Sequence, residues 1–144
     1  MKYVISIMAF VFVSPVLCNA QTSVFGKWKT IDDETGDPKS IVEIYKKEDK
    51  VYGKIIRLFR NGDEDPDPIC DLCPKNDSRY GQKIIGMEII KNLEKDGKEY
   101  ANGTVLKPDE GKIFKCKIWL EKDKLKIRGY WGIFYRTQTW IKAN

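Results

Sequence analysis

The chain has 144 residues and no histidine, so it lacks the usual general base near neutral pH and the commonest metal ligand. Its 26 Lys and Arg outweigh 21 Asp and Glu, but these charges are spread along the sequence and form no dense basic stripe. A mildly basic surface of this kind suits an anion-rich envelope and gives no reason to expect a nucleic-acid partner.

The first twenty residues read as a leader. Lys2 provides a positive start, the run to Val13 is apolar apart from Ser6, and Cys18-Asn19-Ala20 places small residues before Gln21. The run is too short for a bilayer crossing, which needs roughly 20 apolar residues. Residues 1–20 are therefore expected to be a signal peptide and residues 21–144 one exported domain without a transmembrane segment. A domain of this size buries roughly two-thirds of its surface, enough for a single core.

Eight strand-like segments follow, at residues 24–31, 40–47, 51–59, 84–93, 99–106, 112–121, 125–131 and 135–142. Short turn sequences such as Glu48-Asp49, Asp96-Gly97, Pro108-Asp109-Glu110-Gly111 and Lys122-Asp123 separate several of them, so sequential antiparallel pairing is the economical topology. In the sixth segment Phe114, Cys116, Ile118 and Leu120 share a face; in the seventh Leu125, Ile127, Gly129 and Trp131 do. Cys116 reads as a buried small hydrophobe. In the third segment Tyr52, Ile56 and Leu58 share a face with Lys54, and the inward set is not decided. Gly53, Gly86, Gly103 and Gly129 fall inside strand segments, where glycine permits the bends that closure needs. Gly26-Lys27-Trp28 near the start and Arg136-Thr137-Gln138-Thr139-Trp140 near the end mark the strands that must meet. These features predict an all-β, eight-stranded, antiparallel up-and-down barrel with one long loop between strands 3 and 4.

That loop, residues 60–82, is polar and interrupted by Pro66, Pro68 and Pro74. Cys70 and Cys73 lie in it and are expected to form a disulfide that clips the loop in an oxidising compartment. A thioredoxin-like role fits poorly, because acidic neighbours raise a thiol pKa and no helix follows the motif. Asn61, Asp63, Asp65 and Asp67 alternate as calcium-loop ligands do, but prolines interrupt them, the central glycine is missing and no glutamate closes the set. We read the acidic residues as solvated loop charge, with a cation site as the alternative and no metal ligand assigned. Trp119 and Tyr130 fall on the face opposite the apolar sets of their strands, which makes them a candidate outward binding surface.

One set of motifs spans nearly the whole domain: Gly26-x-Trp28, Tyr52-Gly53-Lys54-Ile55, Asn76-Asp77 with Arg79, Gly86, Tyr100-x-x-Gly103, Pro108-x-x-Gly111-Lys112, Leu125-x-Ile127-Arg128-Gly129-Tyr130 and Arg136-Thr137-Gln138-Thr139-Trp140. It resembles Domain of Unknown Function family 2147, a family of exported bacterial domains. The resemblance implies a signal peptide and a compact β-rich domain, and brings no catalytic residues with it. A looser resemblance is to calycins, the lipocalin and avidin-like barrels. There the tryptophan of an N-terminal Gly-x-Trp packs beneath an arginine of the last strand, which implies that Trp28 and Arg136 close one barrel end. A guanidinium over an indole contributes about 0.5–2 kcal/mol.

A small barrel is filled by side chains or holds one small ligand, and the bulky inward residues predict a small interior. The expected function is a non-catalytic binding module, without cofactor, for a small apolar ligand or an envelope component. The alternative is a filled barrel that docks an envelope protein through Trp119 and Tyr130.

Overall fold

The computed structural model describes Ser14 and residues 22–144, so the leader assigned to residues 1–20 lies outside the described residues apart from that serine. The strands are β1 (Gly26–Ile31), β2 (Pro38–Lys47), β3 (Lys50–Leu58), β4 (Glu88–Asp96), β5 (Glu99–Lys107), β6 (Lys112–Glu121), β7 (Lys124–Trp131) and β8 (Phe134–Lys142). Each pairs antiparallel with the next, and β8 returns to β1, closing an up-and-down barrel. The seam is short: only Trp28↔Lys142 and Lys29↔Ile141 pair across it.

Period-two alternation does most of the work. On β6 and β7 the pairs Cys116↔Gly129, Ile118↔Ile127 and Leu120↔Leu125 share the inner face, while Lys117↔Arg128 and Trp119↔Lys126 share the outer one. On β3 the inner residues are Val51, Gly53 and Ile55. The Tyr52 face points outward, where its ring stacks on Tyr45 at 6.1 Å. Leu93, Ile118, Leu125, Ile44 and Val42 fill the interior around Trp28, and all are essentially excluded from solvent. Thr30 and Ser40 are buried on neighbouring strands and join their hydroxyls at 2.7 Å, so neither is left unpaired.

One departure from the sequence reading has a physical cause. The fourth strand begins at Glu88 and not at Ile84, and Gly86 therefore lies outside it. Residues 84–87 form a turn closed by the Met87 N–H on the Ile84 carbonyl at 3.1 Å, with Gly86 at φ +92°. Ile84 and Met87 mimic a strand because both are buried. Inside β5, Gly103 sits where the pairing with β6 shifts register. A Cβ there would lie 2.5 Å from the Lys91 carbonyl oxygen, so the close approach of β4 requires glycine.

The long loop (59–87) is a folded outer layer. Cys70 and Cys73 are disulfide-bonded and buried, and Cys70 N–H donates to the Gln82 carbonyl while Gly81 N–H donates back to Cys70, each at 2.8 Å. Ile89 and Leu106, which alternate with the inward Ile90 and Val105, are buried too, in one apolar cluster with the cysteines, Ile84 and Met87. The loop is anchored by Arg79, which is buried, chelates Asp77 through Nε at 2.9 Å and Nη2 at 2.8 Å, and donates to the Glu88 carbonyl at 3.0 Å.

The Arg79 side-chain bond, chiefly, holds the Asp77 carboxyl down to about 2 from 3.8, against the upward push of its own burial. A depressed carboxylate stabilises the fold above its unfolded pKa, and that contribution is lost as pH falls through the folded value. Asp77→Asn should therefore cost on the order of 2 kcal/mol at neutral pH. The deficit relative to the parent should shrink between about pH 4 and pH 2, which thermal melts across that range will show.

Candidate ligand site

The barrel has two unlike ends. Toward the one at which the chain enters β1, Trp28 is fully buried, and its indole N–H donates to the Val24 carbonyl at 2.7 Å. At the other end a cavity of about 440 Å³ opens between β5, β6, β7 and β8. Its apolar wall comes from Val105, Phe114, Ile127, Trp131 and Trp140, and Gly129 leaves space beside Phe114. Lys107, Glu110, Lys112, Arg136 and Gln138 supply its polar rim. The size lies within the usual range for small-molecule sites.

The rim is organised by a carboxylate from the β1–β2 turn. Asp33 accepts from Gln138 Nε2 at 2.8 Å and pairs with Arg136 Nη2 at 2.9 Å, while the Trp140 indole N–H reaches Gln138 Oε1 at 3.3 Å. Lys107 pairs with Glu110 at 2.6 Å. Among the described residues Lys112 has no carboxylate within ion-pair distance, so it is the rim cation open to an incoming anion.

Trp28 and Arg136 do not come together. Arg136 lies six positions along β8 from Lys142, the residue opposite Trp28, which is about 20 Å along a strand. The cation over the Trp28 ring is Lys142, with Nζ 4.6 Å from the centroid. Arg136 belongs to the cavity mouth.

Trp119 and Tyr130 point outward, but neither is freely exposed. Trp119 is flanked by Lys117 at 5.2 Å and Arg128 at 5.1 Å, and Arg128 also covers Tyr135 at 4.3 Å. Tyr130 lies 6.2 Å from Tyr135 and borders a second, outer hollow shared with Lys112, Ile113, Lys115 and Trp131.

The loop carboxylates are dispersed. Asp65 accepts the Asp67 backbone N–H, Asp67 pairs with Lys83 at 2.7 Å, and Glu64 takes bonds from Arg60 and Asn61. Among the described residues no three His, Cys, Asp or Glu side chains gather as a metal-binding group. Cys116 is buried, and burial pushes its thiol up to about 12, so it stays protonated at neutral pH.

Sequence reasoning missed Lys112, Phe114, Gln138 and Trp140 as cavity residues and Asp33 as their organiser. Alternation alone places Phe114 and Trp140 inward. The pairing of Asp33 with residues more than a hundred positions away has no local signal.

A solved structure described as "Protein HP1028 from the human pathogen Helicobacter pylori belongs to the lipocalin family" superimposes with a TM-score of 0.70, covering 85% of this chain and 84% of that one. The two sequences are 19% identical, so the likeness is one of fold. No curated protein matches the sequence. The sequence profile of one bacterial family spans all eight strands, from residue 26 to residue 142. The chain thus belongs to DUF2147, the family described as "Uncharacterized protein conserved in bacteria".

Proposed function

We propose that this barrel is an exported, non-catalytic binding module that holds one small, mainly apolar molecule by its tail and meets a polar or anionic end at the rim. One observation carries the reading: an apolar-walled cavity of about 440 Å³ is ringed at its mouth by Lys112, Arg136 and Gln138. Trp140 and Phe114 offer the tail a surface whose one polar group, the Trp140 indole N–H, is already bonded to Gln138. Lys112 offers the head a cation that need not first give up an internal partner. The lipocalin-like fold and the buried disulfide, which suits an oxidising compartment, support the binding and export parts of the reading.

The test is a titration with anilinonaphthalene sulfonate and a series of alkyl carboxylates, read by tryptophan fluorescence. Saturable quenching is expected, and it should diminish in Trp140→Phe. Gly129→Leu should abolish binding while the circular dichroism spectrum stays unchanged. The first atom of the new side chain meets only ordinary contacts, 3.6 Å from Phe114 Cβ, and the remainder fills the cavity. Undiminished binding by Gly129→Leu, or no response from any probe in the series, would remove the proposal.

A further inference from the structure

We propose that the tip of the β7–β8 hairpin, with the adjoining start of β6, is a seat for an anionic lipid bilayer. Five of the ten large hydrophobic side chains that are exposed among the described residues fall here: Ile113, Trp131, Ile133, Phe134 and Tyr135. Ile133 stands at the apex and is 91% exposed, and Phe134 is 60% exposed. The turn at Gly132-Ile133 would ordinarily carry polar residues, and an isoleucine there gains nothing from the barrel itself. The rings are held in place: Trp131 stacks on Phe134 at 6.3 Å and leans on Phe114 at 5.9 Å.

The occupant is chosen by charge and by ring chemistry. From residue 124 to the end of the chain there is no acidic residue, and the segment 111–120 also has none. Lys112, Lys115, Arg128 and Arg136 therefore surround the apolar tip. The carboxylates of the two turns at this rim that lie nearest the tip, Asp33, Asp109 and Glu110, are already ion-paired with Arg136, Lys39 and Lys107. An apolar point within a basic collar, built from Trp and Tyr, matches acyl chains beneath anionic headgroups. The seat is a surface contact made by strand ends. It lies at the cavity mouth, since Trp131, Lys112 and Arg136 belong to both. A seated barrel would thus open toward the lipid.

Vesicle flotation tests this with the intact protein. Phosphatidylglycerol-rich vesicles should capture it, phosphatidylcholine vesicles should hold it about tenfold less well, and high salt should release it. The double substitution Ile133→Ser with Phe134→Ser should weaken capture by about tenfold or more without changing the melting temperature, because both side chains are solvent-exposed. Brominated lipid should quench the emission of the parent more than that of Trp131→Phe. Capture of Gly129→Leu should match that of the parent, which separates this surface from the cavity. The proposal is overturned if the parent ignores anionic vesicles, if the double variant binds them as tightly, or if the tip instead mediates dimerisation in sedimentation experiments.

Discussion

Trp28→Ala should destabilise the barrel by about 3–5 kcal/mol, whereas Arg136→Ala should cost well under about 1 kcal/mol. The indole is fully buried in the core cluster, so its removal leaves a void beside Val42, its partner on β2, and strands the Val24 carbonyl without its 2.7 Å donor. It also takes away the ring beneath Lys142 at one of the two residue pairs that join β1 to β8. The Arg136 side chain is 56% exposed, and its ion pair with Asp33 is an exposed one. Denaturant melts of the two variants measure this asymmetry. Comparable losses would mean that Arg136, and not Lys142, supports the closed end. Ligand titration should invert the ranking, with Arg136→Ala losing affinity for alkyl carboxylates through the rim.

Gly111→Ala should produce the second large loss, about 2–4 kcal/mol, together with a loop that exchanges its amide hydrogens freely. Gly111 holds φ +65° in the β5–β6 turn, a conformation that favours glycine. A Cβ at this position would also run into the Leu72 carbonyl, which the loop lays directly on the turn. The turn cannot easily give way, because Gly111 N–H is bonded to the Lys107 carbonyl at 2.8 Å. The loop must therefore lift, exposing Leu106 and Ile89. Hydrogen exchange at Cys70 and Gly81, whose amides are bonded within the loop, separates local lifting from global unfolding. Protection unchanged at both amides would show that the contact carries no such strain.

The strands most legible in the sequence are those with one wet face. On β6 and β7 lysines and arginines alternate with Cys116, Ile118, Leu125 and Ile127, and the observed register follows that alternation. β4 and the end of β5 were harder to read for the opposite reason. Ile89 beside Ile90, and Val105 beside Leu106, are buried on both faces because the long loop covers the outside. That cover also made residues 84–87 resemble strand. On β3 the outward stacking of Tyr52 on Tyr45 hid the inner face.

Closure was legible from the motifs at the two ends. The partner of Trp28 was not, because the pairing register, which comes from the whole sheet, places Lys142 and not Arg136 across the seam. The disulfide followed from the spacing of Cys70 and Cys73. The size of the cavity did not, since bulky inward residues predict a small interior, and the space of about 440 Å³ opens among β5, β6, β7 and β8.

The brevity of that seam has a consequence for how the hoop is held shut. Past Lys29 and Ile141 the gap between first and last strand is spanned by side chains alone, through Asp33 with Arg136 and Gln138. A wall of this kind rests on side-chain geometry, while the rest of the barrel rests on backbone ladders. Along that stretch the hoop is held by a single carboxylate, and removing it leaves every rib of the ladder in place.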